Sequence, residues 1–262
     1  MTFDLVHPDA RYGPVPLASP DPRGALLLGI QTARPTFPVR PLADPPWLHR
    51  LHGLAARAAE SGNGHQSMAL FQAVGRPPLA RVPGVREYRV LAERARYDVL
   101  LLVITETPDA VRELAGAPEW GAVREWAAYG THLTCELKTR VARQVGSGPL
   151  PERPLVLFTF FASHDPVQFL DLWEYLAGWY RVEMGFDHAR LMVPLTPDPD
   201  GAGYTAVNHA VWDGSLRHFL ARQMTRPSFR RYVVGNLTAH HAAAIPTLYR
   251  SVSADEGSAV NA

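Results

Sequence analysis

Two stretches of the chain carry the same pattern, and this repeat is the clearest indication of the architecture. Residues 109–126 are DAVRELAGAPEWGAVREW, and residues 214–233 are GSLRHFLARQMTRPSFRRYV. Each contains an apolar stripe, then a proline (Pro118 or Pro227), then an aromatic side chain two residues later. Because proline at a helix start loses no hydrogen bond, each proline restarts the helix at a new angle. The repeat therefore predicts a duplicated chain with a broken helix in each half.

The elements around the two broken helices follow the same order. In the first half we predict a strand, a helix, two strands and a closing strand at Ala25–Thr32, Pro46–Glu60, Ser67–Val74, Tyr97–Thr105 and Thr131–Val141. The second half repeats them at Leu155–Phe161, Pro166–Val182, Asp187–Pro194, Tyr204–Trp212 and Ala242–Ser251. This order predicts the α+β class, as two tandem ferredoxin-like βαββαβ units. A doubly wound α/β domain needs regular strand–helix alternation, which the adjacent strand pairs oppose.

Breaks in the pattern give the domain boundaries. The proline-rich residues 1–23 predict an extended arm, and QVGSGPLPERP at residues 144–154 predicts a linker. Residues 24–143 then form a mainly structural first unit, and residues 155–252 a second unit with the functional site. We expect the acidic and polar tail, residues 253–262, to be disordered.

Composition limits the class of protein. The 262 residues are 47% hydrophobic and 19% charged, with a net charge of +1, which argues against a disordered chain and a nucleic-acid binder. The longest aliphatic run is six residues, Val99–Ile104, too short to span a membrane. Met1–Pro16 lacks the apolar core of a signal peptide. The single cysteine, Cys135, makes no internal disulfide, and we expect a cytoplasmic location.

The predicted strand Tyr204–Trp212 is the most informative stretch for function. Period-two alternation places Tyr204, Asn208, Ala210 and Trp212 on one face. Trp212 would offer a flat π surface to an aromatic ligand, and Asn208 a donor and an acceptor to orient its oxygen. The alternative is that Trp212 is core and Asn208 satisfies a backbone group at the strand edge. The equivalent strand of the first half is aliphatic, which favours packing there.

The same stretch carries a resemblance to a known family. VNHAVWDGSLRHFL at residues 207–220 resembles the "NxAxW-[DE]-[SG]" signature of the antibiotic biosynthesis monooxygenase superfamily, the dimeric α/β-barrel proteins. MGFDHARLM (184–192) and RPSFRRY (226–232) resemble that family's second strand and broken helix. The likeness covers Pro154–Val252. It implies that ferredoxin-like units pair their sheets into one α/β barrel, here within a single chain that could also form a homodimer.

The resemblance also implies an activity. Members with this strand resemble the anthrone oxygenases of aromatic polyketide pathways, and tandem chains are similar in organisation to the ring-opening oxygenases of angucycline biosynthesis. It implies oxidation of a polycyclic aromatic phenol or quinone by O₂, with no metal, haem or other tightly bound cofactor. For the ring-opening group it also implies reduced flavin (FADH₂ or FMNH₂) as a diffusible cosubstrate, supplied by a flavin reductase. Asn208 and Trp212 are the two positions that match the motif.

Other side chains complete the predicted site. A substrate proton needs a base, and His164, His240 and His241 lie next to predicted strands of the second half. Arg190 would bind a phenol or quinone oxygen if it faces the same sheet surface, and we expect Tyr204 and His240 to contact the substrate as well. Trp173 lies on the helix above the sheet and is either core or pocket wall. We predict no metal site, because His49 and His52 have helical spacing without a third ligand.

Two further functions fit the same sequence. A haem-binding barrel needs a histidine ligand on a helix that faces the sheet, and the nearest histidine, His218, lies only six residues after Trp212. A cyclase or binding protein would use the same pocket without redox chemistry. The fold does not separate the oxygenase from such a protein.

Overall fold

Alternating and aliphatic runs form eight strands in the computed structural model, which describes residues 4–32, 45–61, 64–77, 84, 86–129, 131–146, 154–196 and 203–252. The strands are β1 (Gly24–Gln31), β2 (His65–Gly75), β3 (Val99–Thr105), β4 (Leu133–Val145), β5 (Leu155–Ser163), β6 (His188–Pro194), β7 (Ala206–Trp212) and β8 (Ala242–Ser251). The helices are α1 (Pro45–Ser61), α2 (Arg89–Arg94), α3 (Pro108–Gly116), α4 (Pro118–Ala128), α5 (Pro166–Met184), α6 (Leu216–Thr225) and α7 (Gly235–Ala239). A π-helical segment, Phe229–Val234, precedes α7.

The strands pair antiparallel into a closed ring. Their order is β1-β3-β2-β8-β5-β7-β6-β4, and β4 pairs with β1 to close it. The strands of each half are neighbours, and the halves meet where β2 pairs with β8 and β4 with β6. The predicted mixed α/β barrel is therefore confirmed. Its division into two ferredoxin-like units that arose by duplication stays a prediction.

Most predicted elements lie where the sequence placed them. β8 has the predicted ends, and both broken helices resume at or beside the predicted prolines. β4 runs four residues past Val141, because Arg143, Gln144 and Val145 pair with β6, so the predicted linker does not begin at Gln144. The helix α2 was not predicted. Residues 147–153 of the linker and the tail at 253–262 lie outside the described residues.

The inside of the barrel is a packed core. One cluster of buried side chains draws members from all eight strands, including Leu27, Leu100, Phe158, Phe160 and Tyr249. Residues from every strand can meet in this way only on the inward face of the ring, where eight strands leave just enough room for side chains. The inward face of the ring is therefore occupied by packed side chains.

Helices cover the outer face of each half. Beneath α1, α3 and α4, aliphatic side chains of the first half pack around Trp120. The buried members of this cluster are all apolar. Under α5, the π-helical segment and α7, the second half packs larger aromatic side chains. The N-cap Asp165 accepts hydrogen bonds from Val167 N and Gln168 N, which fixes the start of α5.

The described part of the N-terminal arm, residues 4–23, lies along α5. Val15 N donates to Glu174 O (3.0 Å), and Tyr232 Oη donates to the carbonyl of Tyr12 (2.8 Å). The Tyr12 hydroxyl donates to the buried Glu183 carboxylate. These bonds hold the extended arm against the helix layer.

No helix in the described residues has both the length and the apolar character needed to cross a membrane.

Candidate functional site

A cavity lies between the outer face of the second half of the barrel and its covering helices. Its volume is about 750 Å³ when the open mouth is included. The described lining residues are Val145, Leu157, Thr159, Phe161, Trp173, Leu176, Ala177, Tyr180, Phe186, Ala189, Asn208, Ala210, Gln223, Phe229, Val233, Leu237, Ala244 and Pro246. Most of the lining is apolar or aromatic and only a few polar side chains reach it, which is the usual character of a small-molecule pocket.

The floor of the cavity follows from strand register. Asn208 lies opposite Thr159 in the β5–β7 ladder, and Thr159 lies opposite Pro246 in the β5–β8 ladder. Two residues further along β7, Ala210 lies opposite Leu157. Side chains directly opposite one another point to the same side of a sheet. The small Ala210 therefore leaves open space beside Asn208, as the alternation predicted.

The Asn208 side chain is the most unusual polar group in this floor. The residue is 7% exposed, and its Oδ1 accepts no hydrogen bond from the described residues. A buried acceptor without a partner costs about 1–3 kcal/mol relative to a satisfied one. Such a group persists where a ligand or a bound water meets it. Asn208 is therefore prepared to interact with something that enters the cavity.

A second polar group comes from the helices above the floor. Gln223 Nε2 donates to the Tyr180 hydroxyl oxygen at 2.9 Å, and burial raises the pKa of Tyr180 above its usual range. The hydroxyl therefore stays protonated at neutral pH. Its oxygen already accepts from Gln223, so its O–H can donate into the cavity. The helical spacing of Tyr180 favoured a core position over pocket wall, and the sequence did not single out Gln223.

The two tryptophans predicted for the site differ in placement. Trp173 lines the cavity from α5, as pocket wall. Trp212 is 6% exposed and is not among the described lining residues. Its ring packs edge-on against Phe219 (centroids 5.3 Å apart) and His218 (5.6 Å). Trp212 therefore supports the layer next to the cavity, and its stacking role stays a prediction.

Two predicted substrate-binding residues face the barrel interior instead. Arg190 lies opposite His209 in the β6–β7 ladder, and His209 packs against Phe158 inside the ring. Tyr204 precedes the first residue of β7, so the period-two pattern does not extend to it. The Tyr204 hydroxyl lies 3.1 Å from that of Tyr97 within the interior cluster. The expectation that Arg190 and Tyr204 share the face of Asn208 is corrected accordingly.

The histidines predicted as bases, His164, His240 and His241, are not among the described lining residues. His164 is exposed at the end of β5, where its Nε2 lies 2.7 Å from Glu87 Oε1. His240 Nδ1 lies 3.2 Å from Gln168 Oε1, and burial lowers the pKa of His240. The described lining holds no histidine, cysteine, methionine or charged side chain. It therefore offers neither a strong base nor the histidine that a haem iron would need.

Comparisons with known proteins place the fold. No protein-family model matches the chain, and no curated protein matches it either. Among solved structures, an anthrone oxidase-like protein covers 92% of this chain and 95% of its own, with 13% identity and a TM-score of 0.62. A candidate monooxygenase from Fusobacterium nucleatum covers 89% of this chain and 94% of its own, with 9% identity and a TM-score of 0.51. At these identities the likeness is one of fold.

Proposed function

We propose that this chain is an oxygenase that holds a polycyclic aromatic phenol or quinone in the cavity and oxidises it with O₂. The observation that carries the proposal is the buried Asn208 Oδ1, which has no partner among the described residues and lies on the cavity floor. A substrate hydroxyl would donate to it. The anthrone oxidase-like and monooxygenase names of the two neighbours support the same reaction class.

The wall of the cavity favours a flat aromatic substrate. Phe161, Trp173, Tyr180, Phe186 and Phe229 contribute aromatic rings to it. Aromatic side chains stack on or meet planar ligands edge-on, and each such contact adds about 0.5–1.5 kcal/mol beyond the area buried. The resemblance of the Asn208 strand to anthrone and angucycline oxygenases supports an aromatic polyketide as the substrate class.

The polar groups suit the first chemical step. Triplet O₂ reacts slowly with closed-shell molecules, whereas an electron-rich phenolate or enolate transfers one electron to it. The Tyr180 O–H can donate to the substrate oxygen while negative charge develops there, and one such donor contributes about 3–4 kcal/mol in other enzymes.

For a methylene between two phenol rings the reaction balances without a further reductant. The carbon loses two hydrogens and gains one oxygen atom, and the second oxygen leaves as water.

The lack of a charged side chain in the described lining has a consequence for the substrate proton. Asn208, Thr159, Tyr180 and Gln223 are neutral at pH 7, so none accepts a substrate proton as a strong base. We infer that the substrate enters, or becomes, an anion through its own acidity. The dependence of the rate on pH should therefore follow the phenol pKa of the substrate.

Oxygen uptake by the purified chain with an anthrone-type phenol tests the proposal. The assay is run alone and again with FMN or FAD, NADH and a flavin reductase, so that a need for reduced flavin becomes visible. We expect consumption of O₂ above the uncatalysed rate in at least one condition. Tight binding of the phenol without added O₂ consumption would instead favour the cyclase or binding protein.

Asn208→Leu separates a functional from a structural amide. Leucine has nearly the shape of asparagine and removes the unpaired acceptor, so we expect the free energy of unfolding to stay unchanged or to rise. Oxygen uptake should fall by about two- to tenfold, because a hydrogen bond between the neutral substrate hydroxyl and Oδ1 contributes about 0.5–1.5 kcal/mol. The control is His132→Ala, which replaces an exposed side chain just before β4. A large loss of stability in Asn208→Leu would contradict the proposal.

A further inference from the structure

We infer that Glu87, His164 and His241 form a binding site for a divalent transition-metal ion of the zinc type, separate from the cavity. One ligand atom of each residue lies within 4.8 Å of the others. His164 Nε2 is 2.7 Å from Glu87 Oε1, and His241 Nδ1 is 3.8 Å from Glu87 Oε2. None of the three is among the described lining residues of the cavity.

The donor set selects the kind of ion. Two imidazole nitrogens and one carboxylate oxygen are ligands that Zn²⁺ accepts with a fourth position left for water. Mg²⁺ and Ca²⁺ prefer sites made of oxygen ligands alone. As metal ligands, a carboxylate and two neutral imidazoles together carry one negative charge, which favours a cation. The site should therefore bind Zn²⁺, Co²⁺ or Ni²⁺ and exclude Mg²⁺.

The geometry requires only small side-chain movements. Ligand atoms around a tetrahedral zinc lie about 3.4 Å apart when each bond is about 2.05 Å. The side chains of Glu87, His164 and His241 are 37%, 62% and 66% exposed, so rotation meets little resistance. The two imidazole rings already lie parallel, 8° apart with centroids 5.4 Å apart.

The backbone supports this arrangement at His241. It is the only non-glycine residue with a positive φ (48°) in the described part of the chain. That conformation costs free energy for an L side chain and is found mainly where surrounding contacts or function require it. The Tyr88 hydroxyl donates to the His241 carbonyl oxygen at 3.0 Å, and its ring meets His164 edge-on. Tyr88 thus holds both histidines beside Glu87.

The position suggests what a bound ion would do. Glu87 belongs to the first half, whereas His164 follows β5 and His241 precedes β8. An ion would therefore cross-link the segment before α2 to the ends of two strands of the second half. Sequence spacing gives no sign of this site, because its residues are far apart and only the closed barrel brings them together.

Cobalt binding to the untagged, EDTA-treated full chain tests the site. We expect one Co²⁺ per chain with visible d–d absorption, displaced by Zn²⁺ and unaffected by excess Mg²⁺. Zn²⁺ should also raise the melting temperature in a concentration-dependent way. Loss of a group that merely orients a ligand weakens metal binding about 10–100-fold, so His164→Ala, His241→Ala and Glu87→Gln should each weaken it at least tenfold.

His132→Ala serves as the matched exposed-histidine control and should bind Co²⁺ like the unaltered chain. Circular dichroism confirms that each variant folds, and Glu87→Gln keeps the side-chain shape if an alanine variant does not. Absence of saturable Co²⁺ binding by the unaltered chain would overturn the inference. Binding that persists in the double variant His164→Ala/His241→Ala would overturn it as well. Neither result bears on oxygen uptake, which tests the cavity alone.

Discussion

Gln223 and Tyr180 form a directed pair at the cavity wall, in which the amide nitrogen donates to the phenol oxygen at 2.9 Å. The direction matters because an oxygen that already accepts is polarised to donate its own hydrogen more strongly. Both residues come from helices that cover the sheet, so the pair is fixed to the roof of the cavity while Asn208 is fixed to its floor. A ligand between them meets a donor on one side and an acceptor on the other.

Tyr180→Phe should lower the rate of substrate oxidation about 10²–10³-fold, the range seen when one oxyanion donor is removed elsewhere. Steady-state kinetics of oxygen uptake measures the effect, with kcat expected to fall more than KM rises. Gln223→Leu should lower the rate less, since the hydroxyl remains. Equal losses in both variants would contradict a direct role for the Tyr180 hydroxyl.

Trp212→Phe tests whether the indole stacks on the ligand or supports the layer beside it. Because Trp212 is buried against Phe219 and Gly214, we expect a smaller ring to leave a gap and to destabilise the fold by about 1–3 kcal/mol. Affinity for a planar aromatic should change by less than about twofold, measured by fluorescence or calorimetric titration. An affinity loss with unchanged stability would instead support the stacking role.

His209 should make stability depend on pH. Burial, and next the charge of Arg190, lower its pKa from 6.5 to about 3 in the folded chain. The unfolded chain therefore binds this proton first, and the contribution is fully present above pH 6.5 and is lost as pH falls towards 3. Each pH unit within that window corresponds to about 1.4 kcal/mol.

Denaturant unfolding of the unaltered chain and His209→Phe at pH 7 and pH 5 measures this contribution. The difference in free energy of unfolding between the two proteins should shift by about 2 kcal/mol in favour of His209→Phe at the lower pH. Phenylalanine suits the surroundings, because the His209 ring already lies 5.0 Å from Phe158 and 6.0 Å from Phe71, centroid to centroid. A constant difference across this range would mean that His209 is protonated in the fold.

Gly178 should be needed for the N-terminal arm to lie on α5. A Cβ at Gly178 would stand 2.0 Å from the carbonyl oxygen of Gly13, so alanine forces the arm away. We expect Gly178→Ala to destabilise the chain by about 1–3 kcal/mol, as overpacking does, and to speed proteolysis within residues 4–23. The control is Gly121→Ala in α4, where a Cβ meets nothing within 4 Å. That variant should gain about 0.5–1 kcal/mol; the same sign in both would count against the contact.

Local patterns in the sequence predicted the elements well. Runs such as Leu155–Phe161, and the prolines at 118 and 227, fix strands and helix starts through steric rules that act over a few residues. Alternation also placed Asn208 and Ala210 on the face that borders the cavity. These features depend on near neighbours in the chain, which a single sequence contains.

Features that depend on how distant strands meet were harder to predict. Arg190 was assigned to the wrong face because the register of β6 against β7 is set by the ring, not by β6 alone. The prediction that Tyr204 shares the face of Asn208 was wrong because β7 begins two residues later than predicted. Tyr180 lies in an apolar helical stripe that predicts core equally well, and only its bond with Gln223 distinguishes it.

The two seams of the ring, β2 with β8 and β4 with β6, tie the halves into one cooperative structure. A half expressed alone would present two open sheet edges, which favour aggregation or pairing with another copy. The cavity also depends on both halves, because Val145 of β4, in the first half, forms part of the wall of the cavity in the second half. The cavity of the second half is therefore complete only when both halves are present, so the first half belongs to the structure of the site as well as to the ring.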